Sequence, residues 1–227
     1  MYGAPMGSHG AYPAGVMGGR PGGPPGTMVH QQTTTVVTNV GPPPSSFNNN
    51  WFSSYYNQIQ QQEMYEIQAW FRSVDRDGSG SITANEIAGI TFNGVPLGLD
   101  VATKLVRVFD RDGNRSIDFY EYAAMHKFLA SLQAAFFAAD RDRSGTIDAR
   151  EIHNALAAAG FQVSLPVVQT FMMVHNKTGY GVNFHQFLLI CATIAQGRSL
   201  FQWRDPQRSG RITVTLDQLL ELVAQMS

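Results

Sequence analysis

The sequence predicts an all-α fold: one compact domain of five helix-loop-helix units and eight helices, preceded by a disordered tail. Three observations carry this. The phrase DRDGSGSITANE returns as DRDGNRSIDFYE and DRDRSGTIDARE between residues 75 and 151. The stretches between the copies have the length and apolar content of helices, and the composition changes abruptly near residue 63.

The tail comes first. Residues 1–62 hold no Asp or Glu and a single arginine, Arg20, and open with MYGAPMGSHGAYPAGVMGGRPGGPPG. Such a stretch buries too little apolar surface to offset the entropy of ordering it, so disorder is expected. Residues 47–62 differ, mixing amides with Phe47, Trp51, Phe52, Tyr55 and Tyr56. They suit either more tail or an adhesive segment that packs on the domain or on another protein. The boundary is drawn with 1–57 as tail and 58–227 as folded domain.

The repeated phrase has the pattern of a calcium loop. Hard oxygen donors at alternating positions wind around one ion, and a carboxylate at position twelve closes the site from the start of the next helix. The first loop offers Asp75, Asp77, Ser79, the Ser81 carbonyl, Thr83 and Glu86. The second offers Asp110, Asp112, Asn114, the Ser116 carbonyl, Asp118 and Glu121. The third offers Asp140, Asp142, Ser144, the Thr146 carbonyl, Asp148 and Glu151. Thr83/Glu86, Asp118/Glu121 and Asp148/Glu151 also have capping-box spacing, so one copy alone would equally suit an acidic helix cap. Three copies in register, each with isoleucine at position eight (Ile82, Ile117, Ile147), favour calcium.

The loops start 35 and then 30 residues apart, and repeating those steps lands on His175 and Asp205. HNKTGYGVNFHQ keeps Val182 at position eight, and DPQRSGRITVTL keeps Asp205, Ser209, Gly210 and Ile212, but the ligands are gone. Gln186 and Leu216 stand at position twelve and Lys177 and Arg211 add positive charge, so loops four and five are expected to stay empty. His175 and His185 suit zinc ligation or a structural role. The 30-residue steps leave no room for a break, so residues 122–139 and 187–204 are expected as single shared helices, with Gly197 the weak point of the second. Gly94–Gly98 interrupts the first longer step, and Gly160 with Ser164 and Pro166 the other.

Position-eight residues of paired units form short β bridges, Ile82 with Ile117 and Ile147 with Val182. Ile212 is left over. The helix after it carries Leu216, Leu219, Leu220 and Val223 on an apolar face with nothing left to cover it. An unpaired edge beside such a face favours a twofold dimer through the fifth unit, with these residues in the interface.

The whole chain narrows the remaining classes. A net charge of −1 over 227 residues argues neither for nor against a strongly charged partner, so no nucleic acid is named as one, and no apolar run reaches membrane-spanning length. The N-terminus lacks the pattern of a secretory signal, and the lone Cys191 suits a reducing compartment and a buried packing role. DGSGS belongs to a metal loop, and no nucleophile–base motif stands out, so an enzyme is not expected.

Five units with 35/30 alternation, live loops one to three, a metal-free fifth loop and a Gly/Pro-rich tail resemble the penta-EF-hand family. The resemblance covers residues 63–227, and the tail in composition only. It implies a cytoplasmic α-helical dimer, a homodimer or a heterodimer with a related penta-EF-hand chain. It also implies Ca2+-dependent binding of partner proteins, such as a proline-rich peptide, or of a membrane surface. The departure is Arg115 at position six of loop two, where a left-handed turn favours glycine. Loops one and three are therefore expected to bind Ca2+ tightly and loop two more weakly. Two alternatives stand beside a sensor and adaptor: a calcium buffer without a switch, and a regulatory subunit of a calpain-type protease. Trp70, Phe71, Phe136, Phe137, Met172 and Met173 are available either to the core or to a calcium-dependent surface.

Overall fold

The computed structural model describes residues 42–45, 47, 50–92, 94–176 and 181–226. The expected disorder of residues 1–41 lies outside the described residues, as do Lys177 and Gly179 of the fourth loop. The described helices are α1 (Ser53–Tyr56), α2 (Gln61–Val74), α3 (Ala84–Ala88), α4 (Gly98–Phe109) and α5 (Phe119–Ala139), followed by α6 (Ala149–Ala158), α7 (Leu165–His175), α8 (Phe184–Arg204) and α9 (Leu216–Met226). The eight expected helices are α2 to α9; α1 is additional. No described helix is long and apolar enough to cross a membrane.

Each loop begins where a helix ends. The backbone N–H groups of Asp75, Asp110, Asp140 and Asp205 donate to the last turns of α2, α4, α5 and α8, on Phe71, Val106, Phe136 and Phe201. Most loops end by starting the next helix on a cap. Asp118, Asp148 and Asn183 each accept from the backbone N–H three residues on, at 2.8–3.0 Å, satisfying donors that a helix start leaves orphaned. The fourth loop keeps this cap with the neutral pair Asn183/Gln186, so capping survives where charge has gone.

The shared helices run unbroken, α5 and α8 having 21 residues each, and α8 passes straight through Gly197. The Gly94–Gly98 interruption is a small hairpin, β2 (Thr91–Phe92) with β3 (Val95–Pro96). The loop bridges form as the position-eight pattern predicts. β1 (Ile82–Thr83) pairs with β4 (Ser116–Ile117), placing Ile82 opposite Ile117. β5 (Thr146–Ile147) pairs with β6 (Val182–Asn183), placing Ile147 opposite Val182. All four position-eight side chains are buried. Among the described residues no strand forms at Ile212; the chain there is irregular until α9.

The domain boundary needs correcting. The compact unit runs from Pro42, not from residue 58, and of the two roles open to the aromatic segment packing on the domain holds, with Phe47, Trp51, Phe52 and Tyr55 buried in the main core. The aromatic content outweighs the surrounding amides: each such ring buries a large apolar area, and these also make edge-on ring contacts with one another. Of the candidate surface residues, Phe71 and Phe136 are core, Met172 is half-buried, and Trp70, Phe137 and Met173 are exposed.

Phe136 packs its ring against Phe184 and Phe187 at 5.2 and 5.5 Å, tying α5 to α8. Phe136→Ala is expected to destabilise the domain by about 3–5 kcal/mol, read as a lowered urea midpoint at unchanged slope.

Candidate metal centres

The loops are held open-mouthed by their own backbone. In loop one Ser79 N donates to Asp75 Oδ1 and Asp77 Oδ1, each at 3.0 Å, and Gly80 N donates to Asp75 Oδ2 at 2.9 Å. In loop two Gly113 N and Asn114 N donate to Asp110 Oδ1 at 2.8 and 3.1 Å, and Arg115 N to Asp110 Oδ2 at 2.8 Å. Loop three repeats the pattern with Gly145 N on Asp140 Oδ2 at 3.1 Å and Ser144 N on Asp142 Oδ1 at 3.1 Å. This wrap brings the position-one and position-three carboxylates to one side of each loop.

Position twelve separates the loops. Glu86 accepts from Arg76 N at 2.9 Å and Thr83 N at 2.8 Å, spanning the loop from its second residue to its ninth. Glu121 does the same with Arg111 N at 2.9 Å and Asp118 N at 3.0 Å. The result is two three-carboxylate clusters, Asp75/Asp77/Glu86 and Asp110/Asp112/Glu121, each with one oxygen per residue within 4.8 Å of the others. Glu151 accepts from Asp148 N at 2.9 Å, while Arg141 N turns back to the Ala139 carbonyl at 2.8 Å. Loop three does not gather its carboxylates in this way.

The donor set fits calcium. It is all oxygen, with no imidazole or thiolate. In loops one and three it includes a hydroxyl beside the position-seven carbonyl: Ser79 Oγ donates to Ser81 O at 2.9 Å and Ser144 Oγ to Thr146 O at 3.0 Å. In loop two Asn114 Oδ1 stands at that point, accepting from Ser116 N and Oγ at 2.8 and 2.7 Å. A bound Ca2+ would supply the positive charge that lets these carboxylates share one small volume. Thr83 Oγ1 donates to Glu86 Oε2 at 2.8 Å, and Asp118 and Asp148 act as helix caps.

Burial sets the electrostatics. Glu121 is 2% exposed, and that desolvation pushes its carboxyl up to about 7 despite hydrogen bonds from Arg111 and Asp118. Burial also raises Asp110. Glu86 sits near the surface, and the hydrogen bond from Thr83 N holds it below the usual carboxylate range. Equivalent residues in the sequence therefore carry different protonation chemistry in the fold.

Backbone strain is also redistributed. Arg115 does adopt a left-handed conformation, φ 66°. Arg143 at position four of loop three does so as well, φ 58°, and so does Arg208 in loop five, φ 54°. Position four is thus a second left-handed point; Gly78 and Gly113 at that position in loops one and two were the signal in the sequence. The ground for ranking loop two below loop three is removed, because each carries one such arginine.

Loop five keeps the opening turn of the acidic loops without their closing carboxylate. In loop five Asp205 accepts from Ser209 N at 2.8 Å and Gly210 N at 2.7 Å, the same turn as in the acidic loops. In the fourth, Gln186 Nε2 donates to the His175 carbonyl at 3.0 Å. His185 Nε2 lies 3.1 Å from Asp100 Oδ2 on α4, an inter-unit contact, and among the described residues His175 and His185 form no metal cluster.

Helices flanking acidic, backbone-wrapped loops that bridge in pairs define an EF-hand protein. A family model for an EF-hand domain pair matches residues 64–127, and one for an EF hand matches residues 132–156. The chain is 49% identical over 169 residues to penta-EF hand domain-containing protein 2 of Dictyostelium discoideum, covering 74% of this chain and 82% of that protein. It is 29% identical over 159 residues to peflin of Danio rerio, covering 68% of this chain and 59% of peflin. Among solved structures, a homologue of programmed cell death 6 protein from Leishmania major matches with a TM-score of 0.50 and 29% identity, over 71% of this chain and 94% of that one. The chain belongs to the penta-EF-hand family, and it is a calcium-binding protein of the peflin and sorcin type.

Two measurements check the site. Glu121 ionises near 4.5 when unfolded and near 7 when folded, so the folded metal-free state holds the extra proton. Its contribution is present below pH 4.5 and lost as pH rises to 7, while Ca2+ below pH 7 must displace that proton. Calcium affinity at loop two is therefore expected to fall by up to about tenfold per pH unit below 7, with proton release visible by calorimetry in two buffers. Arg115→Gly and Arg143→Gly are each expected to raise stability in chelator by about 0.5–1 kcal/mol, left-handed strain outweighing the glycine's chain entropy.

Proposed function

We propose that this protein is a cytoplasmic calcium sensor and adaptor that dimerises through its fifth hand and takes up a partner protein or membrane surface when its loops fill. The observation that carries the reading is the position of Glu86 and Glu121, each in the first turn of an exit helix and each reaching back across its loop. Drawing such a carboxylate onto an ion shifts the helix it starts, and so shifts which apolar surfaces face solvent. Loop one, with glycine at both left-handed positions and a gathered carboxylate cluster, is placed first in affinity.

The dimer rests on α9. None of its side chains is buried, and Leu216 and Val223 are 70% and 55% exposed, with Leu219 and Leu220 between them. Its C-terminal end is nevertheless tied down. Lys104 Nζ donates to Met226 O at 3.1 Å and Gln196 Nε2 to Gln225 O at 2.5 Å. A helix held at one end with Leu216, Leu219 and Leu220 exposed supports a second copy, or a related chain, as its cover.

Sedimentation of the purified chain is expected to show a dimer that Leu219→Asp/Leu220→Asp converts to monomer; a wild-type monomer contradicts the homodimer and favours a heterodimer. Hydrophobic-dye fluorescence is expected to rise on adding calcium, with loop one filling first. Calcium binding without any dye response would leave only a buffer.

A further inference from the structure

Phe47, Trp51, Phe52 and Tyr56 rest on both ends of loop two. Phe47 and Tyr56 lie 6.5 and 5.9 Å from the ring of Tyr120, the neighbour of Glu121. Trp51 and Phe52 lie 6.2 and 5.0 Å from the ring of Phe109, the neighbour of Asp110. The far side of the segment reaches other units. The Tyr55 hydroxyl donates to the Ala159 carbonyl at 2.7 Å, just beyond α6. Trp51 Nε1 donates to Ser199 Oγ at 2.8 Å on α8, and the Arg198 guanidinium lies 4.9 Å from the Trp51 ring.

Three features mark this segment as a ligand of the domain more than as part of its framework. Among its described residues the one α-helix is the four-residue α1, too short to hold itself without the surface beneath it. It contains no Asp, Glu, Lys or Arg of its own; the contacts described for it are ring packing, neutral hydrogen bonds and the Arg198 guanidinium over Trp51. A half-open pocket of about 340 Å³ borders its flank, lined by Trp51, Tyr55, Gln58, Ser131 and Arg198 among others, so that side of the segment is reached by solvent.

The geometry points to residues 47–56 as a built-in ligand of a peptide-docking groove on the α5 face, exchanged for a partner peptide when calcium fills loop two. The partner has the chemistry of the segment it replaces: an uncharged peptide with tryptophan and tyrosine four residues apart. The calcium step rests on the sensor reading above. Phe109 ends α4 and Tyr120 lies in the first turn of α5, so drawing Glu121 onto an ion moves one ring-bearing point of the seat relative to the other. Without calcium the tether keeps the built-in ligand at an effective concentration of about millimolar, which an outside peptide does not overcome.

The test is fluorescence anisotropy of a fluorescein-labelled peptide of residues 44–58 added to the full chain. Calcium is expected to tighten binding at least about tenfold, and Glu121→Gln to abolish that gain. The peptide carrying Trp51→Ala and Tyr55→Ala is expected not to bind. The full chain carrying Trp51→Ala and Tyr55→Ala is expected to bind the native peptide in chelator, because its own segment no longer competes; a folded variant that does not bind overturns the proposal. Should that variant unfold, a protease site placed at residues 57–60 of the full chain decides the matter in chelator, independently of any calcium response. Exchange of the cleaved segment for labelled peptide, with the melting transition intact, supports the proposal. Unfolding on cleavage, or a segment that excess peptide does not replace, makes it framework and overturns the proposal. Exchange that calcium and chelator affect equally overturns control by loop two.

Discussion

The continuity of α5 constrains everything around it. A helix of 21 residues is about 30 Å of stiff rod, and it begins at the closing residues of loop two and ends at the opening residue of loop three. Glu121 sits in its first turn and Asp140 caps its last. Between them, Phe128 and its neighbours form the floor on which the N-terminal aromatic segment lies. Two loops and one groove therefore share a single rigid body, so a displacement at either end is felt along the whole element.

Burial then makes chemically equal loops unequal. Loop one is at the surface, and its closing carboxylate is held ionised by backbone donors. Loop two lies against the core, where its closing carboxylate is desolvated. The same residue types at the same spacing thus produce one site that waits in the charged form and another that holds a proton near neutral pH. The position-eight bridges couple these loops in pairs, so occupancy at one site bears on the backbone of its partner.

Much of this was legible in the sequence. Periodic repeats of a loop with strict backbone requirements report directly on structure, so the five units, the shared helices, the bridges at Ile82/Ile117 and Ile147/Val182, and the exposed face of α9 could all be read from spacing. The N-terminal segment could not. FNNNWFSSYYNQ has no period and borders a Gly/Pro-rich stretch, and only a complementary aromatic surface 50 or more residues away decides that it packs. The fate of His185, engaged by Asp100, depends equally on a neighbour distant in sequence.

By itself the sequence determined the loop chemistry, which oxygens stand at which positions, because an ion site in a twelve-residue loop is a local object. It also determined which two loops had lost that chemistry. The tertiary structure decided the protonation of Glu121, the sharing of left-handed strain between Arg115 and Arg143, the gathering of carboxylates in two loops of the acidic three, and the seat of Trp51. These are matters of burial and of contact between distant segments, and desolvation and packing exist only once the chain has folded.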